Sequence, residues 1–285
     1  MMTVRLFSEA VSRLPLYATL PCIMLGGRLN CIVAGLLNIL LAVLSLKSPH
    51  LMKLYDSLCR KLAEKSRISF HGYVVKAVDC EGMVVFHPQY EFSITRVLLG
   101  FLKPGYVFID VGAHQGRYTL LAVEKVGPKG LVIALEPVPE TFQTLIENIR
   151  ANKVTNIIAL PLVAWSTSAT LEFTVPPSRS VATAKKLSHF SGLPLEGRKI
   201  RVKAIDLDTL VLKILKVWKV DVVKIDAEGA EVEILEGLSR VLEMYKPSLI
   251  IEVRQQTKRK VLNLLKRLKY KVSYIEGNTL VALPP

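Results

Sequence analysis

The chain reads as an α/β protein built on a mostly parallel sheet, with an apolar helical segment in front of it. Three observations predict this. After about residue 100, short Val/Ile/Leu-rich runs alternate with amphipathic helical patterns, as expected of strands covered on both faces by helices. Two of those runs end in a carboxylate set before a glycine-bearing turn, Asp110 in VFIDVGAHQG and Asp226 in VVKIDAEG. Finally, 51% of the 285 residues are hydrophobic, more than a soluble domain usually needs, and the excess is concentrated near the start.

That excess lies in LPLYATLPCIMLGG, from Leu14 to Gly27, and LNCIVAGLLNILLAVLSL, from Leu29 to Leu46, with Arg28 between them. The second run approaches the ~20 residues of a spanning helix, whereas the first holds Pro15 and Pro21 and is too short to cross regularly. One membrane helix within residues 14–46 is therefore expected, preceded by a re-entrant or interfacial segment. No small-residue cleavage site follows Leu46, which argues against a signal peptide. Lys47, Lys53, Arg60, Lys61, Lys65 and Arg67 come next, and the positive-inside rule keeps this flank cytoplasmic. The expected organisation is a membrane-associated segment over residues 1–66 and a cytoplasmic catalytic domain over 67–285.

The second part opens with two β-rich runs, RISFHGYVVKAVD and GMVVFH, read as a hairpin-like lead-in. EFSITRVLLGFL has helical spacing and stops at Lys103-Pro104-Gly105. Strand YVFIDV, helix YTLLAVEKV, strand LVIALE, helix ETFQTLIENIRAN and strand NIIALPLVA follow. Next come strands ATLEFTV and KIRVKAI, strand VDVVKID, helix AEVEILEGLSRVLEMY, strand SLIIEV and helix KRKVLNLLKRL. The closing runs KVSYIE and NTLVAL are near enough to pair antiparallel. One long loop, residues 176–197, interrupts the pattern. Cys22, Cys31, Cys59 and Cys80 form no C-x-x-C pair, so neither a disulfide framework nor a zinc site is indicated. A net charge of +14 favours an anionic neighbour, either nucleic acid or an acidic membrane face.

In open α/β sheets ligands lie beyond the carboxyl ends of the strands. Gly112 and Gly116 let the backbone turn there, but His114 occupies the second glycine of a dinucleotide fingerprint. Asp110 would repel a pyrophosphate and attract a cationic ligand bearing an ammonium and a sulfonium, as S-adenosylmethionine (SAM) does. Glu136, ending the next strand, can accept hydrogen bonds from both ribose hydroxyls. Asp226 should stand at the tip of its own strand with Glu228 in the turn. There a carboxylate can take the proton of an acceptor hydroxyl, which is a poor nucleophile while neutral. Asp226 is the leading candidate base and Glu228 the second; Glu231 and Glu233 read as helix-start acids, and Lys224 as a salt-bridge partner of Asp226. Whether a metal binds near Asp226 is left open.

The stretches YEFSITRVLLGFLKPGYVFIDVGAHQGRYTLL, ALEPVPETFQTLIENIRAN and VDVVKIDAEGAEVEILEGL, the last followed by KPSLIIEV, resemble the FkbM-type methyltransferases of the class I SAM-dependent superfamily. The resemblance spans about Phe70 to Leu283. It implies a Rossmann-like class I methyltransferase sheet with an antiparallel carboxyl-terminal strand, SAM as cofactor, and O-methylation of a hydroxyl on a sugar, glycan, lipid-linked or small-molecule acceptor. Carried over residue by residue, it places Asp110, Gly112, Ala113, His114 and Gly116 along the methionine part of SAM. It likewise places Glu136 at the ribose, Val163 and Ala164 at the adenine edge, and Glu91 beside the cofactor from the lead-in. His114-Gln115 departs from the Asn and apolar residue that many relatives carry.

Three other readings compete. An RNA methyltransferase is favoured by the positive charge and disfavoured by acids at the acceptor mouth. An NAD-dependent oxidoreductase lacks its glycines. A catalytically inactive, membrane-bound SAM-binding module would keep the cofactor and transfer nothing.

Overall fold

The computed structural model describes residues 67–78, 80–175, 183–184 and 198–285, together with Ser57, Lys61 and Ala63. The apolar segment expected over residues 14–46 lies outside them, as does most of the 176–197 loop. No helix among the described residues is long and apolar enough to cross a membrane. By its internal contacts the chain divides into two compact units, Met1–Phe92 and Ser93–Pro285.

In the first unit β1 (Ile68–Phe70) and β2 (Tyr73–Val75) form an antiparallel hairpin turning at His71-Gly72. GMVVFH is not a strand: Cys80–Val85 is a helix, α1. Met83 and Val84 within it and Phe86 just after it are buried. A strand would turn neighbouring side chains to opposite faces, whereas one helical turn buries these together.

The second unit begins within helix α2 (Phe92–Phe101). In chain order it contains β3 (Val107–Val111), α3 (Arg117–Val126), β4 (Leu131–Leu135), α4 (Pro139–Ala151) and β5 (Ile157–Leu160). β6 (Leu162–Trp165), β7 (Ala169–Val175), β8 (Thr183–Ala184) and β9 (Arg198–Asp206) come next, then a π-helical turn over Thr209–Ile214 that the sequence pattern did not announce. The chain closes with β10 (Val222–Ile225), α5 (Glu231–Glu236), α6 (Ser239–Tyr245), β11 (Ser248–Glu252), α7 (Lys258–Arg267), β12 (Lys271–Glu276) and β13 (Thr279–Leu283).

The main sheet has seven strands in the order β12-β13-β11-β10-β3-β4-β5. The five from β11 to β5 are parallel, and β13 runs antiparallel to both of its neighbours, as expected of the closing pair. From β3 the chain winds outward through β4 and β5, then returns to add β10 and β11 on the other side. The order therefore reverses between β3 and β10, the position at which open α/β sheets place ligands, at the strands' carboxyl ends.

NIIALPLVA is two strands rather than one. Pro161 has no N–H for a ladder, and it separates β5 of the main sheet from β6 of a second sheet ordered β6-β9-β7-β8. The helix expected over residues 230–245 is likewise broken at Gly237, where an added Cβ would lie 2.0 Å from the carbonyl oxygen of Trp165 on β6.

Alternation along the strands decides what faces what. Ile109, Val111, Ile133, Leu135, Val223, Ile225, Leu249 and Ile251 all join one hydrophobic core with α5, α6 and α7. The intervening residues, Asp110 and Lys224 among them, point to the opposite face. There α3 packs, bringing Tyr118 and Thr119 against them. Register places Lys224 directly beside Asp110.

Gly112 sits where β3 leaves the sheet, with φ +78°, and an added Cβ would lie 2.0 Å from the carbonyl oxygen of Asp226. Gly112→Ala should therefore cost about 2–4 kcal/mol, combining left-handed strain with a backbone clash. Gly100, inside α2 with open space around it, is the control. Gly100→Ala should be neutral or stabilise by about 0.5–1 kcal/mol in denaturant titrations. Equal effects at the two sites would refute this account of Gly112.

Candidate active site

The turn after β3 hangs from the ends of two neighbouring strands. The N–H groups of Gly112 and Ala113 both donate to the Leu135 carbonyl at 3.0 Å, and Asp226 N–H donates to the Val111 carbonyl at 3.0 Å. His114 has a left-handed backbone (φ +52°), and its N–H donates to Glu136 Oε2 at 2.9 Å. That backbone bond ties the turn to the tip of β4. The positions a Cβ would take at both glycines are filled by protein: Asp226 backbone faces Gly112, and Leu145 faces Gly116 at 2.7 Å from an added Cβ.

Asp110 is completely buried. Thr119 Oγ1 donates to its Oδ2 at 2.7 Å, while Oδ1 has no hydrogen-bond partner. Burial pushes the carboxyl above its ordinary range; Lys224 and Thr119 oppose that, and Asp226 reinforces it. Glu136 stands at the tip of β4, with Oε1 accepting from Val138 N–H at 2.9 Å. Burial first, then Asp110 and Asp226, raise it to about 7 against the two backbone donors that lower it. Asp226 follows β10 directly. Lys224 Nζ holds its Oδ2 at 3.0 Å, its side chain is 28% exposed, and its other oxygen has no protein partner among the described residues. The structure therefore brings Asp110, Glu136 and Asp226 together at three adjacent strand tips.

Glu228, with φ +51°, forms an ion pair with Arg254 from the loop after β11. Glu231, set aside as a helix-start acid, is fully buried. It accepts from Gly229 N–H at 2.6 Å and from the Thr257 hydroxyl, so it ties the β10 turn to the start of α7. Its carboxyl is raised, chiefly by burial and against the Thr257 hydrogen bond. The one hint in sequence was Thr257 standing directly before the basic helical run. Val163 and Ala164 on β6 are buried in the main hydrophobic core. Glu91 belongs to the first unit and has a left-handed backbone, φ +46°. Among the described residues no three His, Cys, Asp or Glu side chains gather into a potential metal site.

A Rossmann-like α/β sheet with acidic side chains around the glycine turn at its switch point defines a class of proteins that bind nucleoside cofactors at this edge. Within that class, the chain belongs to the Methyltransferase FkbM domain family, which residues 110–272 match. It is similar to the hexuronic acid methyltransferase AglP of Haloferax volcanii, with 32% identity over 153 residues covering 54% of this chain and 58% of that protein. It is also similar to Methyltransferase 1 of Beauveria bassiana, with 25% identity covering 46% of this chain and 57% of the relative. The matched segments thus span a little over half the length of these relatives. Among solved structures, the FkbM methyltransferase of Methylobacillus flagellatus superposes with a TM-score of 0.45 at 17% identity, over 72% of this chain and 52% of that one.

Glu136 makes the site's charge visible in stability. Its carboxyl moves from an ordinary 4.5 to about 7 on folding, so the folded state holds its proton more tightly. Its contribution is fully present below pH ~4.5 and is lost as pH rises through ~7, a decline of about 3 kcal/mol. Glu136→Gln should lower Tm overall, since one backbone donor loses its acceptor, and should flatten the Tm profile between pH 4.5 and 7. An unchanged slope in thermal melts would refute the assignment.

Proposed function

We propose that the protein is a SAM-dependent O-methyltransferase acting on a hydroxyl of a sugar, glycan, lipid-linked or small-molecule acceptor. The observation that carries this reading is the grouping of Asp110, Glu136 and Asp226 at the switch point, with one Asp226 oxygen uncommitted. These residues suit a cationic nucleoside cofactor: Asp110 Oδ1 is a buried acceptor with no hydrogen-bond partner among the described residues, and Asp110 and Asp226 both add negative charge at Glu136. Bound SAM supplies an electrophilic methyl group on a sulfonium.

The chain's own residues do the rest. Asp110, sealed behind its loop, acts through its negative field on the cationic end of the cofactor. Glu136, whose oxygens each keep a lone pair after accepting one N–H, takes the ribose hydroxyls. Asp226 accepts the acceptor's hydroxyl proton on its uncommitted oxygen as the acceptor oxygen gains the methyl group, while Lys224 fixes its other oxygen. Glu228, already engaged by Arg254, serves less well as a base than Asp226. The relative named for hexuronic acid methylation supports a sugar as acceptor.

The apolar run 14–46 and its basic flank support a tether that holds the domain at a cytoplasmic membrane face, near a lipid-linked acceptor. Deletion of residues 1–46 should release the protein from sedimenting membranes; retention in the pellet would refute the tether.

Calorimetric titration with SAM and its demethylated product tests the site. Asp110→Ala should lose most of the affinity while keeping a native circular dichroism spectrum. Asp226→Asn should keep SAM binding and lose about 10²–10⁴-fold of methyl transfer to a uronic-acid or neutral-sugar acceptor. Undiminished SAM affinity in Asp110→Ala would overturn the role of Asp110. Full transfer by Asp226→Asn would overturn that of Asp226.

A further inference from the structure

Lys224 is a cation buried where the sheet places anions. It lies on β10 on the face covered by α3, with its side chain 5% exposed. Its Nζ is 3.0 Å from Asp226 Oδ2 and 4.6 Å from the centroid of the Tyr118 ring. The register of β10 against β3 sets it beside Asp110.

We propose that Lys224 is a positioning residue whose ammonium keeps Asp110 and Asp226 ionised together at neighbouring strand tips. The inference rests on the SAM-dependent reading above for its consequence in binding, though not for the charge arrangement itself. Two carboxylates this close in a partly buried site raise each other's proton affinity, and a nearby cation offsets that. An ammonium suits the task because it is a compact charge with three donors, and the Tyr118 ring face accommodates it.

Several other groups face this centre. Glu136 from the tip of β4 adds negative charge, and His114 lies in the turn above. From α3 come Tyr118, Thr119 and buried Arg117; Arg117 donates to Thr95 at 3.2 Å and lies 5.7 Å from the Tyr118 ring. On the β11 side the register neighbour of Lys224 is the apolar Ile250. With Lys224 replaced by an apolar residue of similar length, one carboxyl of the pair takes up a proton near neutral pH, and the site loses part of its attraction for a cation.

The test uses the full chain as wild type, Lys224→Met, Asp226→Asn and the double variant. SAM affinity by calorimetry and Tm without ligand are both followed from pH 5.5 to 9. In Lys224→Met, affinity at pH 7 should fall about tenfold and recover toward pH 9, a shift of about one unit in the binding midpoint. The double variant, relieved of one anion, should regain most of the affinity at pH 7. A Lys224→Met curve lowered equally at every pH would show a packing role only and would overturn the proposal.

Should Lys224→Met fail to fold, Asp226→Asn decides: its midpoint should move down, and an unmoved midpoint would overturn the coupling. If wild type binds no SAM, the functional reading falls by itself and the Tm curves judge Lys224. The decline of Tm with rising pH should then extend to higher pH in Lys224→Met, and superimposed curves would overturn the proposal.

Discussion

Desolvation of carboxylates at the carboxyl edge of the sheet is the constraint on which the rest of this structure depends. Asp110 has no contact with solvent, and Glu136 has almost none. An isolated anion in such surroundings would be costly, so the fold supplies compensation from several directions. A threonine hydroxyl from α3, an ammonium from β10 and two backbone N–H groups from the adjacent loops all converge on these carboxylates. What remains uncompensated is the source of the raised proton affinity at Asp110 and Glu136. A centre that is negative and incompletely satisfied attracts a cation more strongly than a fully paired one does.

Topology explains why three separate segments of chain deliver acids to one place. Parallel strands all end at the same edge, and the winding direction reverses between β3 and β10. The exits of those two strands are thereby brought close enough for the Val111 carbonyl to accept from Asp226 N–H, and for Gly112 to lie against the Asp226 carbonyl. Gly112 is consequently a residue of chain crossing. The position its Cβ would take is occupied by the backbone at the exit of the neighbouring strand.

Much of this was legible in the sequence because strand periodicity and residue chemistry act locally. Val/Ile/Leu runs ending in Asp110, Glu136 and Asp226 fix both the strands and the acids at their tips, and the spacing of Lys224 from Asp226 predicts their salt bridge. What depended on distant partners was not legible. GMVVFH has β-rich composition, yet its apolar residues are buried together by one helical turn. Pro161 divides one apolar run between two sheets, and Gly237 interrupts a helix because it meets the Trp165 carbonyl. Glu231 looked like an ordinary acid at a helix start, because its partner Thr257 comes 26 residues later.

The turn after β10 shows how one acidic stretch divides its labour. Of the acids in KIDAEGAE, Glu228 is neutralised by Arg254, and Glu231 is consumed by Gly229 and Thr257. The Glu228–Arg254 and Glu231–Thr257 bonds run from the β10 turn to the segment between β11 and α7, so they hold together the two loops that flank Asp226. Rigidity of that kind is what a proton acceptor needs, since its reach must match the acceptor oxygen to within a fraction of an ångström. Asp226 alone keeps an oxygen uncommitted, and its other oxygen is anchored on an ammonium that is itself buried. The same ammonium lies beside Asp110, so the charge at Asp226 is continuous with the charge at Asp110. Binding and proton transfer would then share one electrostatic unit, and a change at either strand tip would be felt at both.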